Sequence, residues 1–107
     1  MKKLIELKTE FYKNGIETGE KIATTKAIKH TQIYKDDGYY IYQVNYSGNV
    51  HYVAFKEEFN ESSDMISIIY PSDQQFYKGS AMNFRNADDA LEQVYEWKKE
   101  SLQDKIK

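Results

Sequence analysis

The stretch Tyr39-Tyr40-Ile41-Tyr42-Gln43-Val44-Asn45-Tyr46-Ser47-Gly48-Asn49-Val50-His51-Tyr52-Val53-Ala54-Phe55 decides the fold class. It reads as two strands around a Ser47-Gly48-Asn49 turn, the clearest hairpin in the chain. A strand with one wet face alternates apolar and polar residues. Here the alternation is overwritten: Tyr39, Tyr40, Tyr42, Tyr46 and Tyr52 fall within fourteen residues and occupy both faces. Tyrosine suits either environment, because its ring is apolar and its hydroxyl is not. A sheet with tyrosine on both faces either has both covered or offers one to a partner. With Gly48-Asn49 as the two-residue loop, Tyr46 faces His51, Val44 faces Val53 and Tyr42 faces Phe55. Tyr42, Val44, Tyr46, His51, Val53 and Phe55 then share a core face, and Ile41, Gln43, Asn45, Tyr52 and Ala54 share the other. A Ser47-Gly48 loop would pair the strands differently.

Working outward, Lys35-Asp36-Asp37-Gly38 is a strong turn signal, with glycine placed where a positive φ is wanted. Upstream, Glu17 to Gln32 is weakly patterned and rich in β-branched residues, which suggests one or two strands. Residues 4–12 alternate charge with Ile5, Leu7 and Phe11 and read as a strand ending at Lys13-Asn14-Gly15. A helix with Leu4, Leu7 and Phe11 on one face is the competing pattern. Downstream, Glu57 to Asp64 reads as an acidic surface loop. Met65 to Tyr70, bounded by Pro71, reads as a buried strand, and Gln74 to Met82 as a short strand broken by Gly79.

The last segment is the best helix. Asn86 is a good N-cap, Asp88 and Asp89 suit the positive end of the helix dipole, and Ala87, Ala90, Leu91, Val94, Tyr95 and Leu102 form an apolar stripe with Trp97 at its edge. Phe84 to Leu91, an aromatic strand end followed by a cap and an acidic-alanine helix start, occurs in many unrelated small domains and assigns no family.

The expected fold is therefore α+β. It is a mainly antiparallel sheet of four to six strands in the region 4–82, with a C-terminal helix over about 87–103 packed on one face, in a single domain spanning 1–107. The expected core is Ile5, Leu7, Tyr42, Val44, Val53, Phe55, Ile66, Ile68, Leu91 and Val94.

Composition narrows function by exclusion. Cysteine is absent, so there is no thiolate nucleophile, disulfide or cysteine-ligated zinc. Glu6, Lys8 and Glu10 interrupt any signal-peptide core, and no apolar run approaches a membrane span. A cytoplasmic protein without membrane contact is the expectation. Net charge is −2, from 15 basic and 17 acidic residues, and Arg85 is the sole arginine. That balance gives no electrostatic footprint for nucleic acid. Abundant lysine, isoleucine, tyrosine and asparagine with scarce proline and arginine fit AT-rich coding, as in a low-GC bacterium or its phage or plasmid.

No Gly-x-Ser-x-Gly elbow, Walker motif or Gly-x-Gly-x-x-Gly loop occurs, so no catalytic residue and no cofactor are assigned. Glu57, Glu58, Glu61 and Asp64 lack a calcium-loop pattern, so no metal site is assigned. Of the two histidines, His51 lies opposite tyrosine among apolar neighbours and reads as structural, while His30 lies in a polar run and reads as exposed. The function expected is a small non-enzymatic accessory or regulatory protein, with an inhibitor encoded by a phage or mobile element as its more specific form. It would bind another protein through Tyr39, Ile41 and Tyr52 on the second sheet face. Three alternatives follow from the same residues: a single-stranded nucleic-acid binder stacking bases on tyrosine between lysines, a ligand-binding or enzymatic pocket near His51, and a homodimer formed through a strand edge.

Overall fold

The computed structural model describes residues 3–14, 16–17, 20–21, 27–46 and 48–106. In chain order the elements are β1 (Lys3–Ile5), β2 (Glu10–Asn14), β3 (Ile16–Glu17), β4 (Glu20–Lys21), β5 (Ala27–Asp36), β6 (Tyr39–Tyr46), β7 (Asn49–Lys56), β8 (Phe59–Glu61), β9 (Met65–Ile68), α1 (Asp73–Lys78), β10 (Ala81–Phe84) and α2 (Ala87–Ile106). The fold is α+β. A five-stranded antiparallel sheet in the order β10-β7-β6-β5-β2 carries α2 on one face. A smaller sheet, β1-β9-β8, joins β1 parallel and β8 antiparallel to β9, and β3 pairs with β4.

The central hairpins show why these residues form strands. β5 and β6 meet at Asp37-Gly38, where both φ values are positive, 53° and 82°. Two consecutive left-handed residues make the tight turn whose twist suits a hairpin, and Asp-Gly is the dipeptide that tolerates it. β6 and β7 pair Tyr42 with Val53, Val44 with His51 and Tyr46 with Asn49. The register is thus two residues away from a Gly48-Asn49 loop. A shift of two preserves which residues share a face. Tyr42, Val44, Val53 and Phe55 accordingly lie together in one core, with Tyr40, Ile68 and Ala81.

That core is an aromatic stack. Tyr40 and Tyr42 lie against Phe55, and Tyr70 meets Phe55, Tyr42 and Phe11 edge-on. The Tyr42 hydroxyl donates to the Lys8 carbonyl at 2.7 Å and accepts from Gln32 Nε2 at 3.0 Å. The Tyr40 hydroxyl donates to Glu57 Oε2 at 2.9 Å. Buried phenols need such partners, and these three bonds tie loop carboxylate, N-terminal backbone and sheet together.

The opposite face holds a second core of Ile41, Ala54, Ala90, Val94 and Trp97. Asn86 caps α2: its Oδ1 accepts the Asp89 N–H at 2.8 Å, and its Nδ2 donates to Asp89 Oδ2 at 3.1 Å. With the cap fixed, Ala90, Val94 and Trp97 recur on one helix face, and the small Ala90 meets the small Ala54. Tyr39 stacks on Trp97 at 6.2 Å, and Lys56 lies over the Trp97 ring at 5.2 Å. On one flank Lys98 donates to Asp36 and Tyr34, and these bonds raise its pKa above the usual lysine value.

Several expectations are corrected. Residues 4–12 form no single strand: β1 and β2 lie in different sheets, and β2 continues through Asn14. Ile5 lies on the edge of the small sheet and is 38% exposed, so it is not core. The 57–64 loop contains β8, which covers one side of β9. Residues 73–78 are helical, because Ser72 and Gln75 cap each other: the Ser72 N–H donates to Gln75 Oε1 at 2.7 Å. Trp97 is buried at 5% exposure, not marginal. Part of the 17–32 expectation, including residues 22–26, lies outside the described residues.

Candidate functional site

The strand register fixes which side chains share the α2 side of the central sheet. Antiparallel partners lie on the same face, so residues align in transverse rows. One row is Asp36, Tyr39 and Lys56, and the next is Tyr34, Ile41, Ala54 and Met82. A third is Glu10, Thr31, Gln43, Tyr52 and Phe84, and a fourth is Tyr12, Lys29, Asn45 and Val50. A bulge between Gln32 and Tyr34 keeps both halves of β5 in phase with β6. It leaves Ile33 outside the ladder and exposed.

Helix α2 covers the first two rows. Its Trp97 reaches Tyr39, while Ala90 and Val94 pack with Ile41 and Ala54. The third row is half-covered, with Tyr52 and Phe84 packed at the margin of the helix core. The fourth row extends past it: Tyr12 is 59% exposed and Val50 39%. Thr31, Gln43 and Asn45 are half-buried. The result is a shallow patch of two tyrosines, a valine and uncharged polar side chains. Lys29 lies within it, between Tyr12 and Asn45, and pairs at 3.4 Å with Glu10 at the β2 end of the third row.

This geometry separates the three residues singled out from the sequence. Ile41 is 2% exposed beneath α2 and unavailable to a partner in this conformation. Tyr39 is half-buried and engaged by Trp97. Tyr52 alone borders the open half. Sequence reasoning missed Tyr12 and Val50. The signal for Val50 was present, since it shares a face with Tyr52 in either register. Tyr12 could be found only from the β2–β5 register.

The histidines are also placed. His30 is buried, correcting the exposed reading. Its ring stacks on Phe11 at 4.6 Å and meets Tyr70 edge-on at 5.1 Å, while Nδ1 donates to the Ile28 carbonyl at 3.1 Å. It belongs to the aromatic core. His51 is half-buried opposite Val44. Two of the surface grooves are lined by described residues. One, about 390 Å³, lies between the 6–8 segment and Tyr70. The other, about 420 Å³, lies between Phe84 and the Asp89–Glu96 flank of α2. Neither is lined by His51.

Burial raises the pKa of the Tyr40, Tyr42 and Tyr70 phenols. The Glu57 carboxylate raises Tyr40 further, whereas the bond from Gln32 partly offsets the rise at Tyr42. These groups stay neutral and structural near neutral pH. Among the described residues no three His, Cys, Asp or Glu side chains converge as a metal site, and no helix is long and apolar enough to cross a membrane. No family model matches the chain, and neither the curated proteins nor the solved structures compared with it give a match.

Proposed function

We propose that this chain is a non-enzymatic accessory or regulatory protein that binds another protein through the uncovered half of its tyrosine-bearing sheet face. The observation that carries the reading is the reach of α2. It covers the rows of Tyr39 and Ile41 and leaves Tyr12, Val50 and part of the Tyr52 row open. Tyrosine offers a partner a large, stiff contact with a polar handle, and the charges within the patch, Lys29 and Glu10, pair with each other. An inhibitor carried by a phage or mobile element fits a small binding protein of this composition.

Copurification from the cells that make the protein, with and without nuclease, tests the reading. Wild type and the variants Tyr12→Ala and Val50→Asp serve as baits, each first checked for a native circular dichroism spectrum. A stoichiometric protein partner that survives nuclease and is lost from both variants supports the interface. Capture of nucleic acid in its place, removed by nuclease and sensitive to Tyr12→Ala, would transfer the patch to base stacking. A partner retained equally by both variants would place binding on another surface.

A further inference from the structure

The central sheet has two outer edges among the described residues, β2 and β10, and the β10 edge has a groove beside it. Among the described residues β10 pairs with β7 alone. An edge strand presents unpaired N–H and C=O groups that template another strand. Beside this edge runs the groove of about 420 Å³, floored by Phe84 and walled by Asp89, Glu92, Gln93 and Glu96.

The helix sets the sign of the occupant. At about 100° per residue, the Ala90–Val94–Trp97 stripe faces the sheet, and Asp89, Gln93 and Glu96 fall on one flank while Leu91 and Lys98 fall on the other. The Lys98 flank is toward β5, because Lys98 bonds Tyr34 and Asp36. The acidic flank therefore overhangs β10. Asp88, Glu92, Glu96 and Glu100 also follow one another at i,i+4, a like-charge spacing that weakens a helix. Among the described residues neither Glu92 nor Glu96 forms an ion pair with a lysine or arginine. Two copies joined edge to edge at β10 would bring two such flanks together, which disfavours self-pairing here.

We propose that the β10 edge takes up an extended, cationic segment of a partner protein, with lysine or arginine at alternate positions. A strand added beside β10 would alternate its side chains across the sheet. Every second side chain would enter the groove, with its aliphatic stem along Phe84 and its charge among Asp89, Glu92 and Glu96. This surface is separate from the Tyr12–Val50 patch and stands whether or not that patch binds a protein.

The test is an amide NMR titration of the whole chain with a synthetic peptide of alternating lysine and threonine. A peptide of the same composition with its lysines in one block and an alternating glutamate-threonine peptide are the controls. The expected result is shifts at Ala81–Phe84 and along Asp89–Glu96, about tenfold weaker binding by the Glu92→Gln/Glu96→Gln variant, and weaker binding by the blocked peptide. No shifts in this region, equal binding by the blocked peptide, or affinity unchanged in the double variant would each overturn the proposal. So would shifts confined to the Tyr12 and Val50 row.

Discussion

Replacing Tyr42 by phenylalanine isolates one hydroxyl at the centre of the larger core. The ring stays, with its contacts to Phe11, Phe55 and Tyr70 at centroid distances of 5.3–5.7 Å. What is lost is the bond to the Lys8 carbonyl at 2.7 Å and the bond from Gln32 Nε2 at 3.0 Å. A typical intramolecular hydrogen bond contributes about 0.5–1.5 kcal/mol net, and a buried group left unpaired costs more. The Tyr42 side chain is fully buried, so water does not compete for its hydroxyl in the folded state. Gln32 is half-buried, so its amide can recover part of its bonding from water. The expected loss is about 2 kcal/mol, equivalent to about 8 °C in Tm for a domain of this size. Urea unfolding followed by the fluorescence of Trp97, which lies in the opposite core, reads the global change. Hydrogen exchange at the Gln32 N–H, which donates to the Thr9 carbonyl at 2.7 Å, reads the local one. A loss under about 0.5 kcal/mol with unchanged exchange would show that the hydroxyl does not anchor residues 8–9, and the argument would fail.

Two further predictions concern the same architecture. Ile41→Ala should destabilise by about 2–5 kcal/mol by leaving a cavity beneath α2, whereas Val50→Asp should stay within about 0.5 kcal/mol; equal urea midpoints for the two would mean that α2 does not divide the face as described. Stability should also fall steeply in alkali. Folding raises the pKa of Tyr40, Tyr42 and Tyr70, so above pH of about 10 the unfolded chain loses these protons first and binds fewer than the folded one. Their contribution is intact below that pH and drains away as pH rises toward the folded-state values, at up to about 1.4 kcal/mol per pH unit for each tyrosine. Urea midpoints measured upward from a pH of about 9 should show this slope, and Tyr40→Phe and Tyr70→Phe should each make it shallower; a slope unaltered by both would refute the assignment.

The residues that made the fold legible were those whose local chemistry and global role agree. Asp37-Gly38 demanded a left-handed turn, and Asn86 with Asp89 demanded a helix start, and both occur. The face division of the central hairpin survived a two-residue error in register because side-chain period is two. Elements that depend on distant partners were hidden. β1 exists through its pairing with β9, some sixty residues away, and residues 3–5 alone carry no trace of it. His30 reads as exposed because its neighbours Lys29 and Thr31 are polar, yet alternation turns it inward against Phe11 and Tyr70. One miss was avoidable: Ser72-x-x-Gln75 is a capping-box spacing, and it announces α1.

The candidate site was half legible for a related reason. Sequence places tyrosine on both faces of β6 and β7, but what covers each face depends on how far α2 runs across the sheet. Two constraints set that reach. The Asn86 cap starts the helix one residue pair beyond Phe84, at the Tyr52 row, and Trp97 locks it onto Tyr39 at the opposite row. A helix pinned at both points crosses the sheet toward the Asp37-Gly38 turn and leaves the half near Gly48 behind. The same pinning presents Lys98 to the strand β5 side, where Asp36 neutralises it, and leaves Glu92 and Glu96 on the β10 side with no ion pair to a lysine or arginine among the described residues. The neutral tyrosine patch and the acidic edge thus have a single structural origin, the position of one helix, and a variant that unlocks it should alter both. Trp97→Leu keeps an apolar side chain there but removes the stack on Tyr39. If the two surfaces depend on that lock, amide shifts in this variant will reach both the Tyr52 row and β10, and shifts confined to the vicinity of Tyr39 would show that the cap alone positions the helix.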